Sequence, residues 1–266
     1  MTLKIDHIEL SSNVILAPMS GVTDLPFRKL VKRFGVGLVV SEMVASRAMI
    51  METRQSMHKC AIMSDDATAA CVQLAGCEPD VMAEAAKMNE DMGAKIIDIN
   101  FGCPAKKVVG GFAGSALMKD ELLASKILEA TVRAVKIPVT MKMRKGWDLE
   151  NQNAPKLAKI AEDSGIKMLT VHGRTRQQFY SGNADWSFIK NVKDSVKIPV
   201  IVNGDITDIA AAAKALEESG ANGVMIGRGS YGKPWLPNQI AGYLSSGSVV
   251  AAPTIAEQKA LILEHY

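Results

Sequence analysis

From Val14 to Ile226 the chain alternates short aliphatic runs with stretches of helical periodicity. Val14-Ile15-Leu16-Ala17 closes at Pro18, Leu38-Val39-Val40 comes second, and Ala70-Cys71-Val72-Gln73 third. Residues 95–99, Val139-Thr140-Met141-Lys142-Met143, Met168-Leu169-Thr170-Val171, a run opening at Pro199-Val200, and Val224-Met225-Ile226 complete eight. Runs of this length and β-branched content read as buried strands. Between them apolar residues recur at helical spacing, as in Val81, Ala85, Met88 and Met92, in Leu157 and Ala161, and in Ile209, Ala212 and Leu216. A first helix is predicted from about Thr23 or Asp24, with Pro26 in the first turn, where a missing N–H costs least.

The punctuation between elements repeats. Gly35, Gly93, Gly165 and Gly220 stand before the second, fourth, sixth and eighth strands, where each can serve as a left-handed helix cap. The fifth and seventh strands are announced by one pentapeptide, Val135-Lys136-Ile137-Pro138-Val139 and Val196-Lys197-Ile198-Pro199-Val200. Proline is tolerated at the start of a strand. The alternation suggests a repeating element of two βα units. Eight such units in roughly 250 residues predict an α/β fold of the (β/α)8 TIM-barrel type over residues 1–245. A doubly wound open sheet is the alternative, but the glycine fingerprint expected after its first strand is absent. Thr254 and Glu257 read as a capping box that opens a further helix. Residues 246–266 are therefore expected to be a linker and the first helix of a truncated C-terminal helical module.

Composition narrows the function classes. A net charge of +3 leaves room for a local basic face without requiring a nucleic-acid partner. Four cysteines in no paired spacing argue against a disulfide framework or a zinc site and for a reducing, cytoplasmic setting. No signal core and no apolar run of spanning length is present in the sequence, so no membrane partner and no metal are expected. A monomer is expected.

In a barrel of this type, residues just past the carboxyl ends of the strands converge on one mouth. They form a polar set here: Pro18, Met19 and Ser20; Glu42; Gln73; Asn100 and Cys103; Lys142 and Arg144; His172 and Arg174; Asn203, Gly204 and Asp205; Gly227 and Arg228. Taken alone, Gln73 or Asn100 is more often a loop-capping amide than a ligand contact, while His172 reads also as a structural histidine and Cys103 as a small packing residue. Lys142, at an inward position of its strand, is harder to explain without a ligand, because a buried charge lacking a counter-charge is costly. The small residues at the seventh and eighth strand ends suit close approach of backbone N–H groups to a phosphate. A phosphate site there, an interior lysine and an amide on the third strand together suit FMN, with Lys142 at the N1/O2 edge of the ring. Lys106, Lys107, Arg144, Lys145, Arg174 and Arg176 would line the mouth as a basic rim for an anionic polymer.

Ala17-Pro18-Met19-Ser20-Gly21-Val22-Thr23-Asp24, Asn100-Phe101-Gly102-Cys103-Pro104, Val171-His172-Gly173-Arg174-Thr175 and Asn203-Gly204-Asp205-Ile206 together resemble the tRNA-dihydrouridine synthases. The block from Cys103 to Val108 resembles their bacterial B-type branch. The resemblance implies reduction of particular uridines in tRNA at the C5–C6 double bond, with noncovalent FMN as cofactor and NADPH as reductant. It implies FMN contacts from Pro18, Met19, Ser20, Gln73, Lys142, His172, Asn203, Gly204, Asp205, Gly227 and Arg228. It also implies that Asn100 holds the uracil and that Cys103 is the catalytic acid, with Lys106, Lys107, Arg144 and Arg174 facing the tRNA. Hydride delivery from flavin N5 to C6 builds enolate charge that a proton at C5 must quench. A thiol with an ordinary pKa of about 8.5 is mostly protonated near neutrality and can donate that proton. Two other readings remain: a dihydroorotate- or dihydropyrimidine-dehydrogenase-like flavoprotein acting on a free pyrimidine, and a redox-silent, RNA-binding remnant of the barrel.

Overall fold

In the computed structural model, which describes residues 3–60 and 70–265, a hairpin of β1 (Lys4–Ile5) and β2 (Ile8–Glu9) precedes the aliphatic runs. Those runs become β3 (Val14–Leu16), β4 (Leu38–Val39), β5 (Val44–Ala45), β6 (Cys71–Ala75), β7 (Ile96–Phe101), β8 (Val139–Arg144), β9 (Met168–His172), β10 (Val200–Asn203) and β11 (Gly223–Ile226). The helices are α1 (Leu25–Arg33), α2 (Ser46–Ile50), α3 (Arg54–Cys60), α4 (Pro79–Asp91), α5 (Lys106–Gly110), α6 (Glu121–Ala134), α7 (Ala154–Asp163), α8 (Trp186–Ser195), α9 (Ile209–Ser219), α10 (Leu236–Ser246) and α11 (Ile255–His265).

The nine strands from β3 onward pair in parallel in the order β4-β3-β11-β10-β9-β8-β7-β6-β5. The two ends of this order are successive pieces of one stave. Val40 bridges Cys71 and Val44 pairs with Leu74, so the sheet closes into an eight-stave barrel. The second stave, expected from Leu38-Val39-Val40 alone, breaks at Ser41 and Glu42 and resumes as β5. The Ser41 hydroxyl accepts the Gln73 N–H at 3.0 Å, and the Glu42 carboxylate accepts the Gly21 N–H at 2.7 Å. The break thus serves the loop after β3.

Strand alternation sorts the core into two layers. Odd positions such as Ile97, Ile99, Phe101, Val139, Met141 and Met143 point outward and pack with the helices. Ile15, Leu38, Cys71, Ile96, Met168, Ile201 and Met225 fill the lower interior, with Leu3, Ile5 and Leu10 packed against them. Polar side chains are left for the upper interior. The α4 stripe is turned one position from its expected setting: Met82, Ala85, Ala86 and Asn89 are buried, while Met92 is exposed. Asn89 is accommodated because its amide donates to the Ala85 carbonyl at 2.8 Å.

The repeated pentapeptide has one structural cause. Glu90, on α4, accepts the N–H groups of Lys136 and Ile137 at 2.7 and 3.3 Å. Glu162, on α7, accepts those of Lys197 and Ile198 at 2.7 and 3.2 Å. Each glutamate also pairs with a lysine three residues earlier, Lys87 at 3.0 Å and Lys159 at 3.1 Å. A helix therefore fixes the first residues of the stave two places along, once in each half of this region. The Thr254–Glu257 capping box is present at α11, whose Leu261 packs with Leu30 and Trp235. No helix of the described residues is long and apolar enough to cross a membrane.

Both glutamates lie below their ordinary pKa. For Glu90, desolvation raises it, but the Lys136 N–H and the Lys87 ammonium outweigh that; for Glu162 the Lys197 N–H dominates. The stability they contribute is full above the unfolded carboxylate pKa and is lost as pH falls through the folded value. Glu90→Ala and Glu162→Ala are each expected to cost about 1.5–3 kcal/mol in urea unfolding at pH 7. The difference from the parent should shrink below pH 4, and the two effects should add, since the sites share no partner.

Candidate active site

Two levels of inward-facing side chains build the barrel mouth. Gln73, Asp98 and Thr140 stand side by side on β6, β7 and β8, and Asn100 and Lys142 pair one level higher. Asp98 accepts from Gln73 Nε2 and Thr140 Oγ1, both at 2.6 Å, and the Gln73 oxygen accepts from Asn100 Nδ2 at 2.7 Å. Burial pushes the Asp98 carboxyl up, against the pull of these two donors and of the Lys142 charge. Lys142 is half-buried, and among the described residues its ammonium makes no hydrogen bond or contact ion pair. Burial, reinforced by Arg144, lowers its pKa to about 8, while Asp98 and Cys103 act in the other direction.

His172 ends β9 in the same mouth. Burial pushes its pKa well below the usual value, and Lys142, Arg144, Arg174 and Arg228 add to the effect, so the ring is neutral. Its Nδ1 accepts the Arg174 N–H at 3.3 Å, which leaves the proton on Nε2. A Cβ on Gly204 would stand 3.2 Å from that nitrogen and 2.7 Å from the Ala184 side chain. Glycine, at φ +113°, is what lets the β10 loop pass there.

Cys103 lies on the loop after β7, held from three sides. The Asn100 oxygen accepts the N–H groups of Gly102 and Cys103 at 3.1 and 2.8 Å. The Cys103 carbonyl accepts from the Ser115 N–H and hydroxyl at 3.1 and 2.9 Å. A Cβ on Gly114 would meet that carbonyl at 2.8 Å, so the return of the chain needs glycine. Asn100 is thus a loop cap with one amide N–H unclaimed by protein.

An anion cradle faces this loop. Among the described residues, the backbone N–H groups of Gly204, Asp205, Gly227 and Arg228 donate to no other protein group. Asn203 Nδ2 donates to the Met225 carbonyl at 2.7 Å, locking the ends of β10 and β11 together. Beside Gly227, on the loop after the neighbouring β3, the Met19 N–H donates to Thr23 Oγ1 at 2.8 Å, and Ser20 is exposed. Free N–H groups, a lysine without a bonding partner and a neutral histidine fit the phosphate and polar ring edge of a flavin.

The basic rim expected from the sequence needs correction. Lys106 and Lys107 are exposed, but Arg144, Lys145 and Arg174 are buried. Arg144 donates to the carbonyls of Gly102, Thr175 and Phe179 at 2.9, 2.7 and 3.0 Å. Arg174 forms a bidentate pair with Asp205 at 2.9 and 2.6 Å and also reaches the Ser181 and Gly182 carbonyls. Lys145 pairs with Asp185 at 3.0 Å, and Arg176 packs on the Trp147 ring. These cations brace loops because irregular backbone at the mouth presents carbonyls that need donors. Sequence reasoning gave no role to Asp98 or Thr140. Their signal was present in the inward parity they share with Asn100 and Lys142.

A family model described as dihydrouridine synthase matches residues 15–266. The chain is 75% identical over 264 residues to the "Probable tRNA-dihydrouridine synthase" of Rickettsia prowazekii (strain Madrid E), covering 99% of this chain and 81% of that protein. It is 48% identical over 263 residues to "tRNA-dihydrouridine synthase B" of Xanthomonas axonopodis pv. citri (strain 306), covering 99% and 79%. Its fold matches morphinone reductase in complex with tetrahydroNAD at a TM-score of 0.62 and 15% identity, over 97% of this chain and 93% of that one. It also matches histamine dehydrogenase from Rhizobium sp. 4-9 at 0.69 and 13%, over 92% and 47%.

The Arg174–Asp205 pair predicts a stability effect. Desolvation raises the Asp205 pKa, but Arg174, the Ala184 N–H and Arg228 bring it below the ordinary value. Asp205→Ala leaves the Arg174 guanidinium buried without its counter-charge and is expected to cost about 3 kcal/mol at pH 7 by urea unfolding. The deficit should narrow as pH falls through the folded Asp205 pKa, where the parent loses the same pair.

Proposed function

The chain belongs to the dihydrouridine synthase family, and on that premise we propose that it reduces uridine to 5,6-dihydrouridine in tRNA. FMN would be the noncovalent cofactor and NADPH the reductant. The observation that carries the proposal is the half-buried Lys142 ammonium, with no bonding partner among the described residues, in a mouth shared with neutral His172 and the Cys103 loop. A desolvated cation is costly to keep. An electron-accepting ring whose reduced form is anionic gives it a use.

Pro18, Met19, Ser20, Gln73, Lys142, His172, Asn203, Gly204, Asp205, Gly227 and Arg228 would hold the FMN, with Asp205 contributing its backbone N–H. Held there, FMN would supply the hydride chemistry for reduction of the uracil C5–C6 double bond. Cys103 holds the proton for C5, on a loop fixed by Asn100 and Ser115 so that the thiol keeps its direction. The remaining Asn100 N–H can orient a uracil carbonyl. His172 stays neutral and donates from Nε2. Lys106 and Lys107, exposed at the start of the helix that follows the Cys103 loop, would take tRNA phosphates, which favours a polymer over a free pyrimidine. Residues 246–266 would begin a helical tRNA-binding module after a catalytic barrel at 1–245, and the work of the protein would be in the cytoplasm.

Cys103→Ala should purify with the flavin spectrum and NADPH-driven bleaching of the parent. It should form dihydrouridine on unmodified tRNA at least about 100-fold more slowly, since loss of a general acid typically costs that much. Equal modification by both proteins would remove Cys103 from the mechanism. Lys142→Met should slow flavin reduction itself. A parent protein that neither binds flavin nor acts on tRNA would overturn the reading.

A further inference from the structure

The loop between β9 and α8 carries two exposed aromatic residues that the chemistry above leaves unused. Phe179 and Tyr180 are 42% and 53% exposed, and their rings meet edge to face at 4.7 Å between centroids and 89°. Phe179 has a φ of +53°, a left-handed conformation that a bulky side chain adopts only when its surroundings enforce it. The enforcement is visible. Arg144 donates to the Phe179 carbonyl at 3.0 Å and with its Nε to the Gly102 carbonyl at 2.9 Å, so one buried guanidinium ties this loop to the Cys103 loop. Arg174 grips the following turn through the Ser181 and Gly182 carbonyls at 3.2 and 2.6 Å.

The face of Tyr180 also meets a cation. The Arg228 guanidinium lies 4.9 Å from its ring centroid, is half exposed, and among the described residues has one long 3.4 Å contact, to Asp205. Partly exposed aromatic rings beside a half-exposed guanidinium match the two parts of a nucleotide: a base that stacks and a phosphate that accepts. The two rings pack on each other and on Arg228 rather than into the core, and the left-handed backbone at Phe179 marks the position as specified.

We propose that Phe179, Tyr180 and Arg228 form a stacking platform for an RNA base next to the uridine that enters the barrel. The proposal rests on the tRNA reading above and deepens it. A nucleotide drawn out of its stack to reach the barrel leaves a neighbour with an exposed base face. The platform gives that face a partner on the same rigid rim that holds the thiol loop. It positions RNA and takes no part in proton or hydride transfer.

Tyr180→Ala and Phe179→Ala are compared with the parent, Tyr180→Phe and Phe179→Tyr, using an unmodified tRNA transcript and NADPH as probes. The parent must form dihydrouridine, and its failure to do so would refute the underlying reading separately from the platform. With an active parent, both alanine variants should keep the flavin content, thermal midpoint and rate of NADPH-driven flavin reduction. Their KM and Kd for tRNA should rise about fivefold to a hundredfold with kcat changed much less. The aromatic replacements should restore the parent values. Unchanged KM and Kd in both alanine variants would overturn the platform. So would an effect confined to the KM for NADPH, which would assign the rings to the adenine of the reductant. If Phe179→Ala loses its thermal midpoint, Tyr180→Ala alone decides, because Tyr180 carries no left-handed strain.

Discussion

Asp98 and Lys142 place opposite charges inside a barrel whose lower half is apolar, and the arrangement of the mouth follows from keeping both there. Neither charge can be answered by water as on a surface. Asp98 is answered by Gln73 and Thr140, Gln73 in turn by Asn100, and Asn100 by the N–H groups of the Cys103 loop. A single chain of hydrogen bonds thus runs from a buried carboxylate to the loop that carries the thiol. Among the described residues Lys142 is the one member of this set without a bond, and burial, reinforced by Arg144, lowers its pKa to about 8. The lysine is held ready by the shortage of partners around it.

The same logic explains the buried arginines. Loops at the carboxyl ends of the strands turn many carbonyl groups toward the interior, and α-helices do not reach them. Arg144 and Arg174 between them bond five such carbonyls, at Gly102, Thr175, Phe179, Ser181 and Gly182. A guanidinium suits this work because its donors are fixed in a plane and its charge does not titrate near neutrality. The cationic mouth is therefore partly a consequence of loop construction, and its field adds to burial in keeping His172 neutral. Structure and electrostatics share one set of residues.

Much of this was legible in the sequence. The aliphatic runs, the glycines before every second strand and the repeated pentapeptide fix eight βα units, because each is a local signal of strand start or helix end. The thiol, the inward lysine and the small residues at the last two strand ends could be read as a set once the strands were counted. What could not be read was which polar groups answer one another. Glu90 reaches Lys136 and Glu162 reaches Lys197 across large gaps in the chain, and no periodicity announces such a pairing. The α4 stripe slipped by one position for a related reason, since Asn89 is admitted to the core by a bond to its own helix.

Arg174 marks the boundary most clearly. By sequence it is a basic residue two places after a strand-end histidine, equally suited to a phosphate or to a partner inside the protein. Only the closed barrel brings Asp205 to both of its donors and turns it inward at 3% exposure. Sequence determines the period of the chain, the strand ends and the chemical types gathered at the mouth, because these depend on neighbours along the backbone. Tertiary structure decides which charges are paired and which, like Lys142, have no bonding partner among the described residues, because pairing depends on distances that only the ring of strands sets.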